Sequence, residues 1–247
     1  MSHDELEKHL HCGLNHFNLT GAKITDSGFR LKHYEDKNDP KWPKLIDVIA
    51  KTGIESLNLG SCSIDAKGIE LWSTAIGANP IAPCSNLKIL NLSKNLIKLD
   101  GAKILAGALK DNTSIEFLDL SSNELKVFGT YQIARALHHN KTLKGLNLFK
   151  NTLDVDGARA IRDLLEENST IEFIDLGHNR IRSKGLEAIK EGILANPTCA
   201  LHSLGVRMNF INDDGFDSFF NEVIFEDYSK KKVRQIPATT EKLMSDY

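Results

Sequence analysis

The sequence predicts a right-handed α/β solenoid, built from strand–turn–helix units whose strands lie parallel in one sheet. The first observation behind this prediction is a fixed period. Equivalent apolar residues stand at Leu87, Ile115, Leu143 and Ile171, and the steps 115 − 87, 143 − 115 and 171 − 143 all equal 28. The second observation is that the apolar spacing changes within each unit. A repeat of this length is typical of solenoids, whose units stack on their neighbours.

The unit that begins at Leu87 shows this change of spacing. Leu90 and Leu92 alternate with polar residues, which is the period of a strand. After Asn95 the apolar residues recur at helical intervals, as Ala102 and Leu105 do. Each helix therefore returns the chain to start another parallel strand. The same unit carries the asparagines Asn95, Asn123, Asn151 and Asn179, and the glycines Gly101, Gly129, Gly157 and Gly185.

The asparagine and the glycine have local roles in this prediction. The asparagine side chain is expected to bond backbone groups where the chain leaves the strand. The glycine, which recurs as Gly28, Gly68 and Gly215, is expected at a turn that needs positive φ or close backbone approach. Cys62 takes the asparagine position of the second unit and is interpreted as structural. Trp72 takes the position of Leu105 and is expected in the core.

The rest of the chain is divided around these units. Residues 1–13 are predicted to be an N-terminal cap segment, 14–225 the solenoid of about seven units, and 226–247 a polar tail. The first unit, with Leu14, Ala22 and Gly28, is degenerate, and an insertion at 33–43 follows it. Parallel strands lie ~4.8 Å apart and packed helices ~9 Å apart, so the strands are expected on the concave face and the helices on the convex face.

Composition argues against several classes of function. The formal net charge of −2 gives no overall field that would select nucleic acid or an anionic membrane. No apolar run has transmembrane length, and the charged start does not match a secretory signal. The four cysteines form no C-x-x-C pair and are interpreted as reduced thiols. We expect a cytoplasmic protein, with cytoskeletal or ciliary association possible in principle, and no metal, cofactor or small-molecule substrate.

The pattern L-x-x-L-x-L-x-x-N-x-I from Leu87 to Ile97, with its copies, resembles the leucine-rich repeat family. The long, helix-bearing unit resembles the ribonuclease-inhibitor-like subfamily, and the resemblance covers residues 14–225. It implies a curved solenoid that serves chiefly as a protein-binding scaffold. Because Ran GTPase-activating protein and axonemal regulatory subunits share this architecture, GTPase activation and a structural role in an axonemal or cytoskeletal assembly remain alternatives. The functional asparagine and arginine of the Ran GTPase-activating family have no matching loop motif here.

The open face of the sheet is the predicted binding surface. Its non-leucine strand positions point to solvent, and clustered exposed aromatic residues are typical of interfaces. The alternative is that these side chains cover neighbouring positions on the sheet. The apolar candidates are Ile89, Phe117, Phe149 and Phe173, which are named the aromatic patch from here on. The expected polar rim consists of Asp119, Asp175, His178, Arg207 and Met208.

The predicted strip of strands is small for a tight complex. It projects to roughly 490 Å², whereas a standard interface buries about 800 Å² on each partner. A partner is therefore expected to touch the turns after the strands as well, or the segment Tyr34–Trp42. Trp42 is the candidate contact there unless it packs on the first helix. The sequence contains no phosphate-binding glycine loop, H-E-x-x-H pair or nucleophile elbow. It predicts a non-catalytic scaffold, adaptor or stoichiometric inhibitor of a protein partner.

Overall fold

The computed structural model describes residues 16–18, 20, 23–25, 28–30, 53–76 and 86–219. The predicted cap segment, the insertion with Trp42 and the polar tail lie outside these residues. The described strands are β1 (His16–Asn18), β2 (Lys23–Thr25), β3 (Gly28–Arg30), β4 (Ser56–Asn58), β5 (Ile89–Asn91), β6 (Phe117–Asp119), β7 (Gly145–Asn147), β8 (Phe173–Asp175) and β9 (Ser203–Gly205). The helices are α1 (Ala66–Ile76), α2 (Lys98–Lys110), α3 (Lys126–Leu137), α4 (Asp154–Glu167) and α5 (Arg182–Ala195).

One parallel sheet joins all the units of the described chain, in the order β1-β4-β5-β6-β7-β8-β9. The register follows the repeat, so that Leu118 of β6 pairs with Leu90 of β5 and with Leu146 of β7. A helix separates each successive pair of strands from β4 to β9. The predicted α/β solenoid is therefore confirmed.

The core lies between the sheet and the helices. Each strand is only three residues long. From β4 to β8 the central residue is buried, as Leu90 is between Ile89 and Asn91, while the first and third residues point to the open side. The helices contribute one apolar face, which in α4 includes Ile161 and Leu164. Trp72 is 4% exposed, so its predicted place in the core is confirmed.

The first predicted unit differs from the later ones. Gly28 was expected at the turn of this unit, but Gly28–Arg30 form β3 and pair with β2 in a two-stranded antiparallel sheet. The sequence between the strands is Asp26-Ser27, and both residue types favour turns. Ile24 and Thr25 are β-branched, which favours the strand. Only β1 of this unit joins the large parallel sheet, where His16 pairs with Ser56.

Positive φ and close backbone approach were the two roles predicted for the repeated glycines, and close approach is the one present. Gly101, Gly129, Gly157 and Gly185 lie inside helices, and none of them has positive φ. A Cβ on Gly101 would lie 2.8 Å from Cγ2 of Ile97 and 3.4 Å from the backbone of Ala66. These glycines allow the first turn of each helix to approach the preceding chain closely.

Positive φ instead falls on non-glycine residues of the turns that follow the strands. These turns, named the post-strand turns, are residues 93–98, 121–126, 149–154 and 177–182. The residues with φ between 52° and 61° in them are Lys94, Lys98, Ser122, Glu124, Lys126, Lys150, Thr152, Asp154, His178, Arg180 and Arg182. This left-handed conformation is uncommon outside glycine. It recurs at three equivalent positions in the turns 121–126, 149–154 and 177–182, whereas the turn 93–98 has it at Lys94 and Lys98 but not at Leu96.

A ladder of buried asparagines joins the units at these turns. The Oδ1 atom of Asn151 accepts hydrogen bonds from the backbone N–H groups of Asn123 and Leu125 in the preceding unit, at 2.9 and 3.3 Å. Its Nδ2 group donates to the carbonyls of Leu120 and Leu148, at 2.9 and 3.1 Å. Asn95, Asn123, Asn179 and Asn209 bond in the same way. The predicted role of this asparagine is confirmed.

A second ladder of buried asparagines lies at the other end of the helices, and the sequence pattern had not been interpreted in this way. Asn140 donates from Nδ2 to the carbonyls of Leu109 and Asn112, and its Oδ1 accepts from the N–H of Leu143. Asn112, Asn168 and Asn196 occupy equivalent places. Asn112, Asn140 and Asn168 begin N-x-S/T tripeptides that match the glycosylation sequon, whereas Pro197 after Asn196 excludes the match there. Their burial gives these tripeptides a structural explanation.

Asn151→Ala is expected to lower the free energy of unfolding by about 2–4 kcal/mol, because it leaves several buried backbone groups without partners. Urea denaturation followed by circular dichroism measures this change. The matched control is Asn86→Ala at an exposed asparagine, for which the expected change is below about 0.5 kcal/mol. Equal effects of the two substitutions would contradict the structural role of the ladder.

Two helical glycines are expected to respond to alanine in opposite directions. A Cβ on Gly107 of α2 would meet no atom within 4 Å, so Gly107→Ala should raise the free energy of unfolding by about 0.5–1 kcal/mol. A Cβ on Gly192 of α5 would lie 2.6 Å from the carbonyl oxygen of Arg162 in α4. Gly192→Ala should therefore cost about 1–3 kcal/mol. Thermal unfolding of both variants tests the packing of α4 on α5, and a shift of the same sign in both would contradict it.

Candidate functional site: the open strand face

Phe117 is the most exposed member of the aromatic patch and lies at the centre of the sheet. Its side chain is 38% exposed, whereas those of Ile89, Phe149 and Phe173 are partly buried. Its ring occupies the side-chain space of Gly145, the residue paired with it on β7, because a Cβ there would lie 2.5 Å from Cδ1 of Phe117. Phe117 thus covers a neighbouring position of the sheet and still presents part of its ring to solvent.

Phe149 repeats this arrangement at the start of its post-strand turn. Its ring lies against Gly177, where a Cβ would be 2.7 Å from Cδ2 of the phenylalanine. The guanidinium carbon of Arg207 lies 5.4 Å from the ring centroid, and the imidazole of His178 packs edge-on at 5.9 Å. A cation over an aromatic face is an attractive contact. The structure therefore brings together three of the predicted site residues: Phe149, His178 and Arg207.

The two aspartates predicted for the polar rim have structural roles instead. Asp175 is 6% exposed, and its Oδ1 accepts a hydrogen bond from the N–H of Gly177 at 2.7 Å. Asp119 is partly buried and accepts from the N–H of Ser121 at 2.8 Å. Side chains at this position bond the residue two further along because the chain turns away from the sheet there. Asn58, Asn91 and Asn147 make the same bond.

Burial is the main influence on the Asp119 carboxyl group and raises its pKa above the usual value. The hydrogen bonds from Ser121 and Asn147 lower the pKa by less, and the nearby Asp175 adds to the rise. The Nδ2 group of Asn147 lies 3.2 Å from Oδ2 of Asp119. A carboxylate in this environment is held less favourably than the asparagines that occupy the same position in other units.

The exposed apolar residues near the C-terminal end of the described chain were only partly predicted. Met208, predicted for the rim, is 66% exposed, and Phe210 beside it is 78% exposed. The sequence signal for Phe210 was available, since it follows Asn209 at a turn position that holds Glu124 and Arg180 in regular units. On the helix side, Phe128 and Tyr131 of α3 are also exposed.

The edge of the sheet where the strands begin carries a row of alternating charge that the sequence analysis did not identify. Lys88 lies 3.3 Å from Glu55, and Lys144 lies 2.6 Å from Glu116. The hydrogen bond with Glu116 raises the pKa of Lys144. Glu172 and His202 continue the row. Opposite charges face each other along it, and a depression of about 240 Å³ beside it is lined by Glu55, Lys88, Glu116 and uncharged polar side chains.

A family model agrees with this repeat architecture. The family model described as Leucine Rich repeat matches residues 84–106, 139–161 and 167–190. The chain contains leucine-rich repeats. The solved structure of "Leiomodin-1 Actin-Binding Site 2 (ABS2)" is similar at 20% identity, covers 53% of this chain and 77% of that one, and has a TM-score of 0.40. No curated protein matches the chain.

The leucine-rich repeats explain which strand-face positions are free to vary. Their leucines and asparagines are committed to the core and the ladder, whereas the first strand residue and the second residue after the strand lie outside both. Those free positions supply Phe117 and Phe149. Protein–protein interaction is the general function of such repeats. Among the residues that the structure describes, no group of three His, Cys, Asp or Glu side chains is placed to bind a metal, and no helix has the length and apolarity to cross a membrane.

Asp119→Asn is expected to stabilise the protein at neutral pH. The folded-state pKa of Asp119 is raised, so this group favours folding most below the usual unfolded pKa of about 3.9, and that contribution is lost as pH rises through the folded pKa. Asparagine resembles the protonated group, and the gain should be on the order of 1 kcal/mol at pH 7, shrinking as pH falls toward 4. Urea denaturation across this pH range measures it. A gain independent of pH would contradict the assignment, and Asp100→Asn at an exposed site serves as the control.

Proposed function

We propose that this chain is a non-catalytic protein-binding module that holds its partner on the open strand face. The observation that carries the proposal is the cluster of Phe149, His178 and Arg207, together with the partly exposed ring of Phe117 at the start of β6. Aromatic and arginine side chains contribute most of the affinity in protein interfaces. The module would act as a scaffold, an adaptor or a stoichiometric inhibitor.

The geometry of the aromatic patch suits binding because its phenylalanine side chains are already packed in place before a partner docks. The ring of Phe117 is fixed over Gly145, and the ring of Phe149 is fixed over Gly177. Both lie on a sheet whose strands pair in register along its length. Side chains that are already held in one place lose little conformational entropy when a partner docks.

The ribonuclease-inhibitor-like type is the finer assignment that we propose for these repeats. It is supported by the 28-residue period and by α2, α3, α4 and α5, which have 12 to 14 residues each. Two other functions stay as alternatives with their own tests. Stimulated GTP hydrolysis by small GTPases would favour a GTPase-activating protein, and co-sedimentation with microtubules or actin filaments would favour a structural subunit.

The double variant Phe117→Asp, Phe149→Asp is expected to lose the partner. Two carboxylates would replace the apolar surface and remove the ring that Arg207 contacts, so recovery in a quantitative pull-down should fall at least about tenfold. The wild-type and variant proteins are immobilised at equal density, and captured proteins are compared by mass spectrometry. Circular dichroism establishes that the variant is folded.

The matched control is Phe128→Asp, Tyr131→Asp on the outer side of α3. These two aromatic residues are also exposed, so the control introduces the same charges and removes similar apolar area away from the strand face. Its recovery should equal that of wild type. Unchanged recovery with the strand-face variant, or equal loss with both variants, would refute the proposed docking surface.

A further inference from the structure

The post-strand turns carry a strong positive charge although the chain as a whole is slightly negative. In residues 93–98, 121–126, 149–154 and 177–182 there are six basic and two acidic side chains, which leaves +4, whereas the whole chain has a formal net charge of −2. The basic residues are Lys94, Lys98, Lys126, Lys150, Arg180 and Arg182. The acidic residues are Glu124 and Asp154.

These cations form an ordered surface because the turns are bonded to one another. The N–H of Lys94 donates to the carbonyl of Ser121, and that of Ser122 to the carbonyl of Phe149. The N–H of Lys150 likewise donates to Gly177. Each turn therefore stacks on the turn of the following unit. All six basic residues are exposed, and their backbones share the same left-handed conformation.

Most of this positive charge is available to a partner. Among the described residues of these turns, the recorded ion pair is that of Lys98 with Glu124, at 3.8 Å between two exposed side chains. An exposed pair of this kind contributes little and is readily exchanged. The other edge of the sheet differs, because its acidic and basic side chains alternate and neutralise each other. Opposite edges of the strand face thus offer very different electrostatic surfaces.

The positive turns are continuous with the aromatic patch. Phe149 is the first residue of its turn and is followed directly by Lys150. Its ring contacts His178 of the next turn and lies under the guanidinium of Arg207. A bound chain that covers Phe149 would therefore also meet cations at the turns, and the two surfaces together are larger than the strand strip alone.

We infer that the partner presents an acidic protein segment, with an apolar side chain seated on the aromatic patch and carboxylates along the post-strand turns. This inference rests on the proposed function, because it names the chemistry of the partner at the same face. Positive turns would attract such a segment at long range and fix its direction on the sheet, while the apolar contact would supply affinity.

A protein segment fits this surface better than a nucleic acid. Glu124 and Asp154 lie among the cations, and Asp119 and Asp175 lie directly beneath them at the ends of the strands. A continuous phosphate backbone would meet at least one of these carboxylates in each of three successive units, those of β6, β7 and β8. A polypeptide can place neutral residues opposite them. The apolar patch also offers contact area to a protein side chain.

The experiment measures fluorescence anisotropy with a labelled peptide of glutamate and aspartate residues around one central phenylalanine. Its comparison probes are the same peptide with lysine at every acidic position and a single-stranded RNA of matched charge. The charge-reversal variant Lys126→Glu, Lys150→Glu is expected to weaken binding of the acidic peptide about tenfold at low salt. The control variant Lys110→Glu, Lys141→Glu changes net charge equally at exposed lysines outside the turns, and its affinity should stay within about twofold of wild type.

Support consists of preferential binding of the acidic peptide, loss in the turn variant and retention in the control. Equal binding of acidic and basic peptides, tighter binding of RNA, or equal loss in both lysine variants would overturn the inference. The phenylalanine double variant in the same titration separates the two proposals. If the phenylalanine double variant fails to bind while the turn variant binds normally, only the proposal of an acidic partner segment is overturned. Normal binding by the phenylalanine variant with loss in the turn variant keeps the acidic segment and overturns the aromatic docking surface.

Discussion

The buried asparagine ladder is the constraint on which the rest of this structure depends. A strand of three residues has few ladder bonds of its own, and the chain must leave the sheet immediately afterwards. The amides of Asn95, Asn123, Asn151, Asn179 and Asn209 supply the missing bonds at each departure, and each reaches back to the preceding unit. Because the amide has both donors and an acceptor, one side chain satisfies backbone groups of both kinds in two units. The second ladder closes the opposite end of the helices in the same manner.

Because leucines and asparagines maintain the fold of each unit, other positions are free for function. Leucines fill the interior and asparagines fix the turns, so evolution can vary the open strand face and the turn surfaces without disturbing either. The glycines paired with Phe117 and Phe149 illustrate the result, since each gives a ring a place to lie on the sheet. The same freedom allows cations to collect along one edge while opposite charges neutralise each other along the other. The two edges therefore differ in electrostatic character although the backbone repeats almost identically.

Much of the fold could be predicted from the sequence because leucines, asparagines and glycines recur at fixed intervals. The strands, the helices, the core place of Trp72 and the role of the ladder asparagine all follow from periodic positions. The sequence left two roles open for Gly101 and its equivalents, because glycine serves close packing as readily as positive φ and spacing does not distinguish these uses. Gly28 lies in a strand and not at the expected turn, because a single degenerate unit has few of the periodic positions on which the prediction depends.

The candidate site was harder to predict because it depends on contacts between residues distant in sequence. Asp175 looked like an exposed rim residue, yet its bond to Gly177 and its burial depend on how the next unit covers it. The contact of Phe149 with Arg207 spans two units and depends on Gly177, which lies between them. Aligning the repeats shows this glycine but does not show that the two side chains meet over it. Three-dimensional packing decided which polar residues support the backbone and which remain available.

The direction of the ladder bears on how such a protein could change its length. Each ladder asparagine bonds to equivalent backbone groups of the preceding unit, so the bonds do not depend on which unit precedes it. The separations between ladder asparagines are not all 28, because Asn179 and Asn209 stand 30 apart. The two surplus residues fall between α5 and β9. Gene duplication or loss of a whole unit would thus join compatible ends, whereas a shift of one residue within a strand or its turn would put the amide out of phase with every bond it makes.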